Sequence, residues 1–99
     1  MARKYEAQRY EFIFGEQNVY WVNDEGYNLL FLHTVEKHLN DLAYAVGYIY
    51  LEKIYSSLGI KWDPKDKNEV WEWSEYFKII LSVYPQIDNS IKVDLAIWH

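Results

Sequence analysis

Three side chains near the middle of the chain could bind a metal: His33, Glu36 and His38, within the stretch HTVEKH. A zinc site on a helix usually places two histidines four residues apart, so that both lie on one face. The two histidines here are five residues apart, which separates them by roughly 140° around a helix axis. We therefore expect surface histidines, no metal site and no cofactor.

The other reactive side chains form no catalytic motif. The chain has no cysteine, so thiol chemistry and thiolate metal sites are excluded. Its serines lack a nucleophile elbow, and its glycines are too scattered for a phosphate-binding loop. The spacing of the carboxylates pairs none of them for acid and base roles, including Glu72, Glu75, Asp88 and Asp94. The sequence therefore predicts that the protein is not an enzyme.

Composition and charge restrict the possible partners. The chain has 99 residues with a hydrophobic share of 51%, which predicts one packed domain spanning residues 1–99. Its formal net charge is −5, which argues against direct binding to nucleic acid and favours a protein partner with a basic surface. The basic residues Arg3, Lys4 and Arg9 suggest a solvated tail. The longest apolar run, Leu42–Leu51, is too short to cross a bilayer, so we expect a cytoplasmic protein without membrane contact.

The N-terminal quarter suggests a β-hairpin. In QRYEFIF, Tyr10, Phe12 and Phe14 occupy every second position, and this period of two residues is typical of a strand with one buried face. A polar break at residues 15–18 precedes the apolar run VYWV at residues 19–22. Two strands joined by a turn are the simplest interpretation.

A long helix follows, from a cap at Asn23 or Asp24 to Leu58, with Gly59 as the left-handed residue after its end. Such a helix would be on the order of 45 Å long, so part of it must break or project from the domain. Asn40 and Asp41 are poor helix formers in mid-helix, and we expect them to make structural hydrogen bonds.

The helix has two apolar stripes. The first is the expected core face and comprises Phe31, Val35, Leu39, Leu42, Val46 and Ile49, flanked by Leu32, Ala43 and Tyr50. The second begins beyond Asp41 on the opposite side and comprises Tyr44, Tyr48, Leu51 and Tyr55. Ala43 and Gly47 lie one turn apart and could allow a second helix to approach closely. Together with the second stripe they make a helix-to-helix homodimer a reasonable expectation.

The C-terminal part predicts strands. The stretch WDPKDKN at residues 62–68 is typical of a loop, and SIKVDLAIW alternates clearly, with Ile91, Val93, Leu95 and Ile97 on one face. Residues 69–84 fit a helix as well as strands, and their β-branched and aromatic content favours two strands. The predicted fold class is α+β: an N-terminal β-hairpin, one long helix and an antiparallel set of about three strands.

Surplus aromatic residues mark candidate partner-binding positions. Aromatic residues make up 19% of the chain, and tyrosine and tryptophan are common anchors of protein interfaces. Packing within the protein's own core is the competing interpretation. The candidates are Tyr44, Tyr48, Leu51, Tyr55, Trp71 and Trp73.

The helix resembles a family of small uncharacterised phage and prophage proteins of Gram-positive bacteria, whose helix opens Tyr-Asn-x-Leu/Met-Phe-Leu, continues through Asn-Asp-Leu to a Gly, and ends near Leu-Gly. The matching positions, within about a third of the chain, are Tyr27, Asn28, Leu30, Phe31, Leu32, Asn40, Asp41, Leu42, Gly47, Leu51, Tyr55, Leu58 and Gly59. The chain departs from the family at His33 and Ala45, where arginine is usual, and at Glu52, where asparagine is usual. The resemblance implies a phage origin, a bacterial host cell and a similar fold.

These observations together give two functional hypotheses. The first is a non-catalytic phage accessory protein that binds a protein stoichiometrically, as an acidic inhibitor of a host defence or nucleic-acid-handling factor. The alternative is a structural or assembly protein whose function is to form a homo-oligomer.

Overall fold

The structure is a computed structural model that describes residues 7–61 and 69–99. Its elements are β1 (Ala7–Phe14), α1 (Glu25–Val46), β2 (Tyr48–Tyr50), α2 (Leu51–Leu58), β3 (Val70–Glu72), β4 (Lys78–Pro85) and β5 (Ile91–Trp98). The predicted α+β class is confirmed. The predicted loop at residues 62–68 and the basic residues Arg3 and Lys4 lie outside the described residues.

Three antiparallel strands form the main sheet in the order β1-β5-β4. The alternation predicted for β5 is confirmed, because its odd-numbered side chains are buried while Lys92 and Asp94 lie on the other face. Phe14, Ile79 and Leu81 of the neighbouring strands are buried on the same inner face. Both helices cover this face, so the core lies between the helices and the sheet.

The second strand of the predicted N-terminal hairpin does not form. β1 pairs with β5, and residues 19–22 belong to an irregular connection. Asn28 explains why this segment cannot join a sheet, because its side-chain amide occupies both backbone groups of Val22: Oδ1 accepts from the Val22 N–H at 3.1 Å and Nδ2 donates to the Val22 carbonyl at 2.6 Å. The indole N–H of Trp21 further ties the connection to the Asn89 carbonyl at 3.0 Å.

The long helix is broken in two. α1 begins after Asp24, whose carboxylate caps the Tyr27 N–H as predicted, but it ends at Val46 instead of Leu58. Gly47 adopts a left-handed conformation with a φ of 94°, which glycine adopts without steric cost, and the chain continues as β2. α2 then ends at the predicted Gly59, and the Ile60 N–H closes the cap on the Tyr55 carbonyl at 2.9 Å.

The buried face of α1 also differs from the predicted core face. Leu39 and the flanking Leu32 and Ala43 are fully buried, Phe31, Val35 and Leu42 are half-buried, and Val46 is exposed. Ile49 is buried as predicted, but on a strand. Because Ala43 lies in the core and Gly47 ends α1, the predicted helix-to-helix dimer surface does not exist.

The ambiguous segment at residues 69–84 forms two strands, β3 and β4, as the sequence favoured. The three strands beyond the helices do not form one set, however. β3 pairs with β2 in a separate two-stranded antiparallel ribbon, and only β4 and β5 enter the main sheet.

Side chains of α1 cover the outer edge of β4. Asn40 Oδ1 accepts from the Ile79 N–H and its Nδ2 donates to the Ile79 carbonyl, both at 2.9 Å. One turn earlier, Glu36 Oε2 accepts from the Leu81 N–H at 2.7 Å. These bonds use backbone groups that would otherwise be unpaired at the edge of a sheet, and they fix the helix along the strand.

Candidate functional site

The six predicted partner-binding residues divide into two groups. Leu51, Tyr55 and Trp71 are buried in the core and therefore do not form a surface. The exposed residues are Tyr44, Tyr48 and Trp73. The predicted stripe assumed a continuous helical period, and Gly47 interrupts that period between Tyr44 and Tyr48.

The ribbon of β2 and β3 has two faces of opposite character. On the inner face Ile49 lies opposite Trp71, and both side chains are buried. On the outer face Tyr48 lies opposite Glu72 and Tyr50 opposite Val70. We call this outer surface, made of Tyr48, Tyr50, Val70 and Glu72, the ribbon face.

The ribbon face is an apolar surface open to solvent. Tyr48, Tyr50 and Val70 each expose 44% of their surface. The two tyrosine rings meet edge to face, with their centroids 5.6 Å apart, which is a favourable geometry for aromatic pairs. Two backbone hydrogen bonds, each 2.9 Å long, hold the two strands in register. The Trp73 N–H donates to the Gly47 carbonyl at one end of the ribbon, and the Leu51 N–H donates to the Glu69 carbonyl at the other.

A second exposed aromatic pair lies where α1 meets the end of β3. The rings of Tyr44 and Trp73 also meet edge to face, at a centroid distance of 4.9 Å. Trp73 follows Trp71 by two residues, so it extends the inner side of the ribbon and does not belong to the ribbon face. The exposed aromatic residues thus occupy two separate places instead of one stripe.

Acidic side chains accompany the ribbon face. Glu72 is part of it, and Glu69 comes directly before β3; both are exposed. Among the described residues neither carboxylate takes part in an ion pair.

The residues that suggested metal chemistry have structural roles or are exposed. The carboxylate of Glu36 is held by the Leu81 N–H, while His33 and His38 are exposed. Within residues 7–61 and 69–99, no three side chains of a type that binds metals converge on one point. The structural hydrogen bonds predicted for Asn40 are confirmed, and Asp41 forms an exposed ion pair with Lys37 at 2.7 Å.

A groove of about 400 Å³ between α1 and the start of β4 is lined in part by His33, Asn40 and Trp73. Its central polar groups, the amide of Asn40 and the carboxylate of Glu36, already bond to β4. Lys37 and Asp41 pair with each other at 2.7 Å, which leaves His33 and Lys78 as the polar side chains of the lining that bond to no other described residue.

The carboxylate of Asp88 has a perturbed pKa for a structural reason. The Ser90 hydroxyl donates to it at 2.6 Å and the Ser90 N–H at 3.0 Å, and these two bonds lower the pKa of Asp88 below its ordinary value of 3.8. The residue is fully exposed in the turn between β4 and β5. Its perturbation marks a turn and not a catalytic cleft.

Sequence reasoning missed Tyr50 and Val70 as surface residues. Tyr50 was placed beside the core stripe because a helical period was applied to a segment that is a strand. The signal that could have identified both residues is the alternation in YIY directly after Gly47, together with the alternation in VWE shortly after the predicted loop, which suits two short paired strands.

Comparison of the chain with protein-family models, curated proteins and solved structures finds no match to any of them. The resemblance to phage and prophage proteins therefore stays a prediction. Among the described residues, neither helix is long and apolar enough to cross a membrane.

Proposed function

We propose that the protein acts without catalysis, by binding a protein partner stoichiometrically through the ribbon face. The observation that carries this proposal is the exposure of Tyr48, Tyr50 and Val70 side by side on one face of a sheet whose other face is buried. Tyrosines supply a large contact area at low cost in conformational entropy, and they are enriched in interface hot spots.

The proposed partner has a basic surface around an apolar centre. Glu72 lies on the ribbon face and Glu69 directly precedes β3, both without an ion pair among the described residues, and the chain has a net charge of −5. Complementary charge at the rim accelerates association and selects against acidic partners. Repulsion between the net negative charge of the chain and phosphate groups disfavours direct binding to nucleic acid.

The cellular setting belongs to the same proposal and rests on the resemblance. A phage accessory protein in the cytoplasm of a Gram-positive host could occupy the basic groove of a defence factor or of a nucleic-acid-handling factor. Acidic proteins can compete for such grooves by electrostatic complementarity. The second aromatic pair, Tyr44 and Trp73, would then serve as a separate contact.

The proposal is tested by comparing three immobilised forms of the protein in lysate of a Gram-positive bacterium. The forms are the wild type, the ribbon variant Tyr48→Lys/Tyr50→Lys, and the control Tyr84→Lys/Ile87→Lys. Tyr84 and Ile87 are also exposed, and the control changes the net charge by the same amount. We expect a basic protein that the wild type and the control retain in a one-to-one ratio and that the ribbon variant loses.

Salt provides the second measurement. Raising the salt concentration from about 0.1 M to about 1 M shortens the Debye length from about 10 Å to about 3 Å, so the captured protein should dissociate more readily. If all three forms capture the same proteins, or if capture does not depend on salt, the ribbon face is not the binding surface.

The assembly function is a second candidate because one edge of the main sheet is open. Pairing at this edge would not depend on a foreign partner.

A further inference from the structure

Within residues 7–61 and 69–99, one edge of β1 carries a row of backbone groups without a hydrogen-bond partner. The Gln86 N–H donates to the Ser90 carbonyl at 2.8 Å, so these two residues form a hydrogen-bonded pair in the register of β4 with β5. Such pairs recur at every second residue, so the even-numbered residues of β5 direct their backbone N–H and carbonyl groups toward β4, and the odd-numbered residues direct theirs toward β1. In the register of β1 with β5, the odd-numbered residues of β5 lie opposite even-numbered residues of β1, so the backbone groups of these even-numbered β1 residues point toward β5. Arg9, Glu11 and Ile13 therefore point their N–H and carbonyl groups away from the sheet.

These outward groups have no partner within the described chain. β1 is at the edge of the sheet, and no hydrogen bond among the described residues reaches the backbone of Arg9, Glu11 or Ile13. An open edge of eight residues is a template for another strand.

The charges along this edge are complementary to themselves. We propose that β1 pairs with β1 of a second copy, antiparallel about a two-fold axis at Tyr10, so that two sheets join into one of six strands. In this register Arg9 lies opposite Glu11 of the second copy, and the symmetry repeats the pair. Both are residues with outward backbone groups, so each pair exchanges two hydrogen bonds, and the whole edge forms about eight.

The pairing would extend a charge pattern that each copy already has. Arg9 bonds Asp94 at 3.5 Å and Lys92 bonds Glu11 at 3.3 Å on the outer face of the sheet. The side chains of Arg9 and Glu11 remain 58% and 62% exposed, so each has room for a second partner. Across the interface the order becomes Asp94, Arg9, Glu11 and Lys92, with alternating sign.

The same charges select the register. A shift by two residues in one direction places Arg9 opposite Arg9, and in the other direction Glu11 opposite Glu11. Like charges directly opposite each other destabilise a strand pair. A shift by one residue would put inward-facing backbone groups at the interface, and these already bond to β5.

The experiment measures self-association by sedimentation velocity for the wild type, Arg9→Glu and Glu11→Arg, and for an equimolar mixture of the two variants. Each single variant turns both symmetric ion pairs into repulsions, so the dimer Kd should rise about tenfold or more. In the mixture the introduced carboxylates face the introduced guanidinium groups. A heterodimer with a Kd within about threefold of the wild type is expected.

Lys53→Glu is the matched control for the change in net charge, because Lys53 is exposed on α2, and it should leave the Kd unchanged. Far-UV circular dichroism and thermal unfolding check that each variant is folded. The proposal is overturned if the wild type stays a monomer at every concentration measured, if either single variant dimerises like the wild type, or if mixing restores nothing. Capture by a foreign protein is not measured, so the result is independent of the ribbon face.

Discussion

The two edge strands of the main sheet, β4 and β1, both direct backbone N–H and carbonyl groups away from the sheet, but they differ in what bonds these groups. Along β4, α1 supplies side chains that bond the outward groups of Ile79 and Leu81. Along β1, nothing in the described residues bonds the outward groups of Arg9, Glu11 and Ile13. The β4 edge is thus closed by the protein's own side chains at Ile79 and at the Leu81 N–H, while the β1 edge is the one that we propose for association.

The largest effect is expected at the closed edge, from Asn40→Leu. The substitution removes both bonds to Ile79 and leaves a half-buried N–H and carbonyl without partners, which should lower the free energy of unfolding by about 2–4 kcal/mol. Urea unfolding measures the change. Asp41→Leu on the same turn is the control and should cost less than about 1 kcal/mol, because Asp41 only forms an exposed ion pair. Equal losses for the two variants would show that Asn40 does not close the edge.

A smaller loss of stability is expected from Glu36→Ala, which removes the acceptor of the Leu81 N–H. A hydrogen bond to a charged acceptor contributes more than a neutral one, but Glu36 is half-buried, so we expect a loss of about 1–2 kcal/mol. Hydrogen exchange at the Leu81 amide should accelerate at the same time. Glu36→Gln keeps an acceptor oxygen and should retain most of the protection; an unprotected Leu81 amide in that variant would contradict the assignment.

The matched change at the open edge is Glu11→Ala, and its effect on the monomer should be smaller still. Glu11 contributes only an exposed ion pair with Lys92, so unfolding of dilute protein should change by less than about 1 kcal/mol. In the wild type at low concentration, the Arg9, Glu11 and Ile13 amides should exchange rapidly and the Tyr10 and Phe12 amides slowly. Slow exchange at all five in the monomer would mean that the edge is covered.

The sequence predicted correctly those features that depend on residues close together in the chain. The alternation of β5 and the caps at Asp24 and Gly59 depend on a few adjacent residues, and all are confirmed. The length of the predicted helix required that part of it break or project, but the position of the break at Gly47 was missed, because Ala43 and Gly47 were interpreted as a small-residue surface for a second helix. What stops the helix is the pairing of β2 with β3, a contact between segments about twenty residues apart.

The candidate site was predicted only in part for the same reason. Tyr48 and Trp73 were identified as aromatic surplus, but a helical period assigned Leu51 and Tyr55 to the same surface, and the structure buries both. The hairpin at residues 19–22 failed because an asparagine side chain, Asn28, takes the place of a partner strand. Such pairing of a side chain with the backbone leaves no periodic signal in a sequence.

The smallest effect concerns Asp88 in the turn that joins β4 to β5. Its pKa lies below 3.8 because the Ser90 hydroxyl, and then the Ser90 N–H, bond the ionised carboxylate. A lowered pKa in the folded state means that this contribution to stability is complete above pH 3.8 and is lost as the pH falls through the folded pKa. Acid should therefore weaken the turn that joins β4 to β5.

An NMR titration of the Asp88 carboxyl carbon measures this pKa in the wild type and in Ser90→Ala. Removal of the hydroxyl, the larger of the two causes, should raise the pKa of Asp88 toward 3.8, and the remaining backbone bond should keep it from rising further. Ser82→Ala, on the outer face of β4, is the control and should leave the titration unchanged. An unaltered pKa in Ser90→Ala would mean that the Ser90 hydroxyl does not stabilise the ionised Asp88 carboxylate in this turn.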